Sequence, residues 1–446
     1  MKRLNVFTVF LCGALLFLAA CDTVGGYSNV PAPWENKAET TRAEQAPQNL
    51  PDGIYREGYK DYAAKTGTEG ITETKPAYSI DGLYNEQNRP TMSTVKVALL
   101  LPLSGKHAHL GQSMLKASQM ALFDVGHSNF EILPQDTQGT GQGARAAAQK
   151  AIGQGAQLII GPLFSAAVQG VKGVASSANV NVIAFSTDWR LADKRTFLMG
   201  FLPFDQVNRI TNHAAAQGYR NIGALVPETA YGSTVISSFQ KASSAAGLSL
   251  TNIKKLNPHE KNLGPAIKEF AQYDARSANA GGVTQPPPYD AVFMPVGGDM
   301  ARILGNLTYQ YKVGGRNLQL IGTGVWDDAS LAREPSLNGA RFAGPSPALR
   351  RSFEGRYASL YSKKPERLAT LAYDATALAA ILAQTGIQST GSPAFDARSI
   401  ANPNGFAGVD GIFRFFNNGI VERGLSVLEF RNGQIVIVED APQTFK

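Results

Sequence analysis

From Val95 onward, short apolar runs alternate with longer segments in which apolar residues recur at helical spacing. The runs predicted as strands are 95–101, 130–133, 158–160, 182–185, 222–226, 291–294 and 318–321. The segments predicted as helices are 110–125, 144–152, 166–178, 207–217, 234–246, 300–311, 348–360 and 368–384. Strands that are apolar throughout are buried on both faces, so the alternation predicts an α/β fold of parallel sheets covered by helices.

The predicted strands are more numerous than one sheet normally holds, so we expect two doubly wound lobes. The C-terminal segment 406–438 has a different pattern, because it is rich in Phe, Val and Ile and is interrupted by Asn417-Asn418-Gly419 and by Asn432-Gly433. Asn-Gly between two β-prone runs is a strong hairpin signal. This segment therefore predicts an antiparallel meander of β-hairpins at the edge of one lobe.

The first residues have the pattern of an export signal. Lys2 and Arg3 precede an apolar segment over 6–20, which ends in Leu18-Ala19-Ala20-Cys21. That segment is shorter than the roughly 20 residues of a membrane span. Leu-Ala-Ala-Cys resembles the lipobox of bacterial lipoproteins, which implies a signal peptide at 1–20, cleavage before Cys21 and a lipid on the Cys21 sulfur. The alternatives are an ordinary secretory signal and a short membrane anchor.

Residues 21–94 are predicted to form a lipidated, flexible tether outside the cytoplasm. They are rich in Gly, Pro, Asn, Gln, Thr and Glu and lack a sustained apolar period. The chain contains two cysteines, Cys12 inside the signal and Cys21, so the mature protein is expected to have no disulfide. The net charge of +7 is spread without a basic run, which argues against nucleic-acid binding.

Motifs of the common catalytic classes are missing from the sequence. It has no P-loop, no H-E-x-x-H, no G-x-S-x-G and no complete S-x-x-K active-site set. The glycines in 139–143 begin a predicted helix but lack the P-loop lysine. His107 and His109 have no cysteine or carboxylate close in sequence that would complete a metal site. We therefore expect a protein that is not an enzyme and has no cofactor and no metal.

Small hydroxyl residues follow three of the predicted strands. Ser104, Ser165 and the run Ser186-Thr187-Asp188 lie where strands 95–101, 158–160 and 182–185 end. Ligands of open α/β sheets bind outside the carboxyl ends of the strands. A hydroxyl with backbone N–H groups at a helix start suits a carboxylate, and Asp188 suits an ammonium group. The alternative is that these side chains only cap helices.

Several motifs together resemble the type I periplasmic binding proteins of the leucine/isoleucine/valine kind. They are Leu100-Leu-Pro-Leu-Ser-Gly105 with Gly111 and Ala117/Ala121, Ile159-Ile-Gly-Pro-Leu-Phe-Ser165, Val182-Ile-Ala-Phe-Ser186-Thr, Tyr231-Gly232, Ala372-Tyr-Asp-Ala375 and Phe406-x-Gly-x-x-Gly411-x-Phe413. The resemblance implies two α/β lobes joined by three crossovers, with a ligand closed between them. It implies lobe I at 95–205 plus 324–405, and lobe II at 206–323 plus 406–446.

The same resemblance implies roles for individual residues. Ser165 corresponds to the hydroxyl that binds the ligand carboxylate, and Tyr231 to the aromatic residue of the second lobe. The loop that holds the amino-acid backbone corresponds to Ser186, Thr187 and Asp188. The family's second-lobe acid that binds the ammonium group would lie near 322–327, where Trp326 or Asp327 stands in this sequence. Ser104 completes the predicted ligand-binding set.

Two functions fit these features. The first is a lipid-anchored receptor in the periplasm that binds a small amino-acid-like ligand and delivers it to an ABC permease. The second is a regulator of peptidoglycan synthesis, similar to the lipoprotein activators of penicillin-binding proteins (the LpoA type), because the tether at 21–94 would let the lobes reach a cell-wall enzyme. Asp22, directly after the lipid-bearing cysteine, favours the inner membrane over the outer membrane.

Overall fold

Parallel strands of the predicted kind form the centre of both lobes. The computed structural model describes residues 94–126, 129–278, 285–287, 289–313 and 318–445. The predicted signal peptide, Cys21, Asp22 and the tether up to residue 93 lie outside the described residues. Within the described residues, none of the helices has the length and apolar character that crossing a membrane requires.

Lobe I contains a five-stranded parallel sheet in the order β2-β1-β3-β4-β5. Its strands are β1 (Val95–Leu101), β2 (Phe130–Asp136), β3 (Leu158–Ile160), β4 (Asn181–Ala184) and β5 (Thr196–Leu198). Three helices connect them: α1 (Ala108–Val125), α2 (Gly141–Gly153) and α3 (Ser165–Ser177). Nearly every residue of β1, β3 and β4 is buried, because helices cover both faces of the sheet, as the apolar runs predicted.

Lobe II contains a seven-stranded sheet in the order β15-β14-β10-β9-β8-β6-β7, in which β14 is Ser426–Arg431 and β15 is Gln434–Glu439. Its parallel strands are β6 (Asn221–Pro227), β7 (Ser249–Leu256), β8 (Ala291–Phe293), β9 (Gln319–Gly322) and β10 (Arg341–Gly344). Its helices are α4 (Pro203–Ala216), α5 (Ala230–Ala245), α6 (Gly264–Phe270), α7 (Tyr273–Ala278), α8 (Gly298–Gln310) and α9 (Ala329–Ala332). The two lobes therefore repeat one architecture.

The predicted lobe boundary at residue 324 is wrong. Strand β10 pairs in parallel with β9, so the chain stays in lobe II as far as residue 344. The return to lobe I comes with α10 (Pro347–Tyr361) and α11 (Ala369–Thr390). Tyr357 of α10 hydrogen-bonds Ser113 of α1 at 3.2 Å, which fixes this helix pair on lobe I. Strand β10 was not predicted because only Phe342 and Ala343 of its four residues form an apolar pair, between Arg341 and Gly344.

The C-terminal meander is divided between the lobes, whereas the prediction assigned all of 406–446 to lobe II. After α12 (Ala397–Ile400), strands β11 (Phe406–Gly408), β12 (Gly411–Phe415) and β13 (Val421–Arg423) form a small antiparallel sheet. This sheet lies against lobe I, since Leu198 N donates to Gly419 O at 2.8 Å. Strands β14 (Ser426–Arg431) and β15 (Gln434–Glu439) complete the lobe II sheet as a hairpin.

Both predicted turns join antiparallel strands. The 417–419 turn connects β12 to β13, and Asn432-Gly433 connects β14 to β15. Asn432 and Gly433 have φ values of 52° and 79°, the left-handed pair that a two-residue hairpin requires. The chain passes between the lobes three times, at 199–202, 345–346 and 424–425, as the resemblance implied.

Candidate functional site

The loops that follow β1, β3 and β4 meet at the carboxyl edge of the lobe I sheet. Leu99 pairs with Ile160 and Ile160 with Ile183, so these three strands are neighbours that end side by side. The structure therefore brings Ser104, Ser165 and the 186–188 run to one edge. Tyr231 follows β6 at the corresponding edge of lobe II.

Ser165 is the first residue of α3 and is exposed. The residue before it, Phe164, is the N-cap and supplies no side-chain hydrogen bond to the helix. The first N–H groups of a helix have no partner within the helix and carry partial positive charge. Ser165 is therefore not a helix cap, and an oxygen of an anionic group is the natural partner for this helix start.

Gly161 determines the path of the loop that precedes Ser165. Its φ is +85°, and a Cβ at this position would collide with the carbonyl oxygen of Leu100 in the adjacent strand. Only glycine fits this close approach without displacing β1. The glycine thus places the start of α3 directly over the end of the sheet.

Ser104 is engaged by a carboxylate that sequence reasoning missed. Its Oγ donates to Asp136 at 2.5 Å, and the backbone N–H groups of Leu103, Ser104 and Gln138 also donate to that carboxylate. Burial raises the pKa of Asp136, but these hydrogen bonds outweigh it and hold the pKa below its ordinary value. The donors of the Ser104 loop are thus already in use. The position of Asp136 at the end of β2, beside β1, was the available signal.

The 186–188 run forms a local turn. Ser186 is buried and its Oγ accepts from Asp188 N at 3.1 Å, while Thr187 is exposed. Asp188 forms a bidentate ion pair with Arg190, with distances of 2.7 and 2.9 Å. The hydrogen bond from Arg190 lowers the pKa of Asp188 further than burial raises it. The helix-capping alternative is therefore wrong for Ser186, which stabilises a turn, since the short 3-10 helix that follows has Asp188 as its N-cap. Asp188 remains at the edge as a paired, charged carboxylate.

Tyr231 and Thr323 join the ends of β6 and β9 in lobe II. The Tyr231 hydroxyl lies 2.8 Å from Thr323 Oγ1, and Thr323 is fully buried. Burial raises the pKa of Tyr231 to about 12, so it is neutral at physiological pH. Tyr231 thus presents a half-buried ring whose hydroxyl is bonded to Thr323, and its contact with a ligand stays a prediction.

Trp326 is not available to a ligand, so its prediction as a binding residue is corrected. Its side chain is fully buried, its Nε1–H donates to Val296 O at 2.6 Å, and its ring packs against Phe342 and Phe430. The indole is a central part of the lobe II core. A large aromatic ring next to a strand end has the same local sequence pattern in either role.

The prediction for Asp327 is corrected as well. Its carboxylate accepts two bonds from Arg350 and one from Arg367, and its side chain is 6% exposed. Burial raises the pKa of Asp327, but hydrogen bonds from Arg350 and the charge of Arg367 outweigh it and keep the pKa low. This acid is therefore neutralised by two arginines and does not face a ligand.

Aromatic groups line the lobe I edge beside Ser165. The ring centroids of His107 and Phe164 lie 4.8 Å apart. Gly139 is adjacent to both rings, because a Cβ at this position would contact each of them. Among the described residues, no group of three or more His, Cys, Asp or Glu side chains is placed to hold a metal ion. Hydroxyls, backbone N–H groups and aromatic rings are therefore the chemistry that this edge offers to a ligand.

Comparisons with known proteins identify the family of this fold. The family model described as "Periplasmic binding protein" matches residues 94–434. An uncharacterized protein of Rickettsia prowazekii is 23% identical over 177 residues, which is 40% of this chain. That match spans 47% of the relative, so the chain covers about half the length of this curated protein.

Solved structures share the fold at low sequence identity. One from Rhodospirillum rubrum, assigned to a branched-chain amino acid ABC transporter, has a TM-score of 0.66 and 18% identity, covering 77% of this chain and 100% of its own. A solute-binding protein of R. palustris in complex with benzoate has a TM-score of 0.55 and 17% identity, and the match covers 78% of this chain and 98% of that protein. A leucine-binding protein of Thermotoga maritima has a TM-score of 0.54 and 20% identity, and the match covers 79% of this chain and 99% of that protein. With the family model matching most of the described residues, the chain belongs to the periplasmic binding protein family.

Proposed function

We propose that this protein binds a small amino-acid-like carboxylate between its lobes and delivers it to an ABC transporter. The observation that carries the proposal is the exposed Ser165 on an uncapped helix start at the carboxyl edge of lobe I. Such a helix start combines free N–H donors with the positive end of the helix dipole. Tyr231 would cover the ligand from lobe II, and Thr187 would contribute a second hydroxyl.

A carboxylate is the functional group that the site favours. The Ser165 hydroxyl and the first N–H groups of α3 are donors at one helix start, which suits the two acceptor oxygens of a carboxylate. One structural relative is a leucine-binding protein and another holds benzoate, and both of these ligands carry a carboxylate. The Ser104 loop would not bind a second carboxylate, because Asp136 occupies its donors.

Asp188 is the acid proposed to accept the ammonium group of the ligand. Its partner Arg190 is about half exposed, and exposed ion pairs contribute roughly 0–1 kcal/mol. A carboxylate in such a pair keeps lone pairs that can accept from a second cation. An amino acid would thus share Asp188 with Arg190, whereas an aromatic acid would use Ser165 alone.

The test is calorimetric titration of the protein with an amino-acid panel and with benzoate-type acids. Ser165→Ala is expected to weaken binding by roughly 10- to 100-fold, because a hydrogen bond to a charged group contributes about 1.5–3 kcal/mol. Ser177→Ala, at the opposite end of the same helix, is the matched control and should leave affinity unchanged. Absence of binding by both panels, or equal affinity of both variants and wild type, would contradict the proposal.

The location and partner are part of the same proposal. We infer a periplasmic protein held to a membrane by lipid on Cys21, with Asp22 favouring the inner membrane and an ABC permease as partner. Cross-linking in intact cells, followed by identification of the bound membrane protein, tests this. Recovery of a permease supports the receptor function, whereas recovery of a peptidoglycan synthase would replace it with the activator alternative. Loss of membrane association in Cys21→Ser would support the lipid anchor.

A further inference from the structure

Charged side chains that the proposed ligand site does not use converge where the chain passes between the lobes. Asp327 belongs to the lobe II loop after β9, and Arg350 belongs to α10, which packs on lobe I. Arg367 lies just before α11, which also packs on α1 of lobe I. The three side chains join the two lobes.

The contacts among these three residues are direct. Arg350 donates to both carboxylate oxygens of Asp327, one of them at 2.9 Å, and Arg367 Nε donates to the same carboxylate at 3.1 Å. Asp327 is 6% exposed and Arg350 is 11% exposed in their side chains. Water therefore screens the Asp327–Arg350 pair far less than a surface ion pair, while the Arg367 side chain is 30% exposed.

Arg367 extends the cluster to the other crossovers. It forms a second bidentate ion pair with the fully buried Asp410 of the C-terminal sheet, at 3.0 and 3.4 Å. Its guanidinium also lies 4.7 Å from the ring centroid of Phe201, which is in the first crossover segment. Arg423, beside the third crossover, lies 4.9 Å from that same ring. One side chain thus contacts lobe II, the first crossover and the C-terminal sheet.

Rotation of one lobe relative to the other would separate Asp327 from its arginines. Breaking a buried ion pair is strongly unfavourable, because each partner is left as an uncompensated charge. The present arrangement also leaves Arg423 Nε and Nη1, and Asp374 Oδ2, buried without a hydrogen-bond partner in the described part of the chain. An arrangement that separates Asp327 from Arg350 and Arg367 is therefore disfavoured relative to the present one.

We propose that Asp327, Arg350 and Arg367 form an interlobe latch that sets the equilibrium between lobe arrangements. A ligand binds the competent arrangement, so its apparent affinity scales with the population of that arrangement. This last consequence rests on the proposed function, whereas the effect on lobe arrangement does not. Asp327 and its arginines are then positioning residues, which act on the ligand only through the geometry of the lobes.

The first test measures lobe separation without a ligand. The full chain with Cys12→Ser and Cys21→Ser has no other cysteine, so Gln142→Cys on α2 and Ser233→Cys on α5 place one spin label on each lobe. Both positions are exposed in the first turn of their helix. Pulsed electron–electron double resonance measures the distance between the two labels. In Asp327→Asn it is expected to show a second distance population that the parent lacks.

The matched control is Asp124→Asn, which removes the partner of Arg356 within lobe I. It should leave the distance distribution unchanged, because both residues move with the same lobe. Arg350→Gln serves as a second latch variant if Asp327→Asn does not fold, as judged by circular dichroism. Identical distributions in the parent, the folded latch variant and the control would overturn the proposal. If neither variant folds, the cluster is required for folding and the proposed equilibrium is likewise rejected.

The ligand dissociation constant is a second measurement, and it distinguishes a failure of the latch from a failure of the proposed function. Once a ligand is found, its dissociation constant should differ by about 10-fold between Asp327→Asn and the parent. The dissociation constant in Asp124→Asn should equal that of the parent. If no carboxylate binds but the distances still shift, the latch stands and the proposed function fails. If a ligand binds and the distances do not move, the latch fails and the function stands.

Discussion

The two lobes repeat one architecture, yet they use the carboxyl edges of their sheets differently. In lobe I the strands end in exposed polar groups, of which Ser165 is the clearest case. In lobe II the corresponding loop after β9 turns inward, so Trp326 fills the core and Asp327 joins the lobes through ion pairs. The lobe I edge thus leaves polar groups exposed, whereas the loop after β9 in lobe II uses its side chains for core packing and for ion pairs between the lobes.

The largest expected effect is a loss of stability when the buried Trp326 of lobe II is replaced. Trp326→Ala should lower the free energy of unfolding by about 3–5 kcal/mol, since it removes a fully buried indole and leaves Val296 O without its donor. Thermal or denaturant unfolding measures the change. Trp189→Ala is the matched control, because Trp189 is only half-buried and contacts Phe204 at the ring edge. A loss no greater than that of the control would place Trp326 outside the core.

An intermediate effect on stability is expected when pH is varied, because Asp374 of α11 is a buried acid. Burial, reinforced by the charge of Asp410, raises the pKa of Asp374 to about 7. Between the unfolded pKa near 4 and this folded value, the native state holds more protons than the unfolded state. The contribution of Asp374 to the free energy of unfolding therefore falls as pH rises from about 4 to 7, by up to about 1.4 kcal/mol per pH unit, and is constant above that range.

Asp374→Asn removes this titration while keeping an oxygen that can accept from Val409 N. The variant should gain stability relative to the parent as pH rises from about 4 to 7, in denaturant titrations at each pH. Asp188→Asn is a control at the ligand edge, where the pKa is lowered instead. Parallel stability curves of parent and Asp374→Asn across this pH range would show that Asp374 is ionised in the fold.

The smallest effect is expected at the lobe I edge. Ser165→Ala should change the free energy of unfolding by no more than about 0.5 kcal/mol, because the side chain is exposed and does not cap α3. The same variant is the one expected to lose ligand affinity. A stability loss comparable to that of Trp326→Ala would mean that Ser165 is structural, and the contrast between the lobes would then disappear.

Sequence reasoning succeeded where local pattern and tertiary environment coincide. Strand 158–160 was predicted at the bounds it has, because a fully apolar run can be satisfied only inside a covered sheet. The Asn432-Gly433 hairpin was predicted because its dihedral angles depend on those two residues alone. Strand β10 was missed because Arg341 and Gly344 interrupt its apolar pattern, and its place is decided by pairing with β9 and β14.

Among the candidate site residues, the sequence identified those whose position depends on the nearest strand. Ser104, Ser165 and Ser186 follow apolar strands directly, and parallel strands necessarily end at one edge. Asp136 was missed because its contact with Ser104 joins two strands that are adjacent only in the sheet. Trp326 and Asp327 were misassigned because their partners Val296 and Arg350 are separated from them in sequence.

The sequence by itself determined the α/β class, the doubling into lobes and the edge at which a ligand is expected, because periodicity and turn chemistry are local properties of the chain. Tertiary structure alone decided which charged and aromatic groups remain free at that edge. Asp327 is neutralised by Arg350 and Arg367, and the free energy of a buried charge depends on partners that folding brings from distant segments. Side-chain identity sets what a residue can do, and its partners in the fold set what it does.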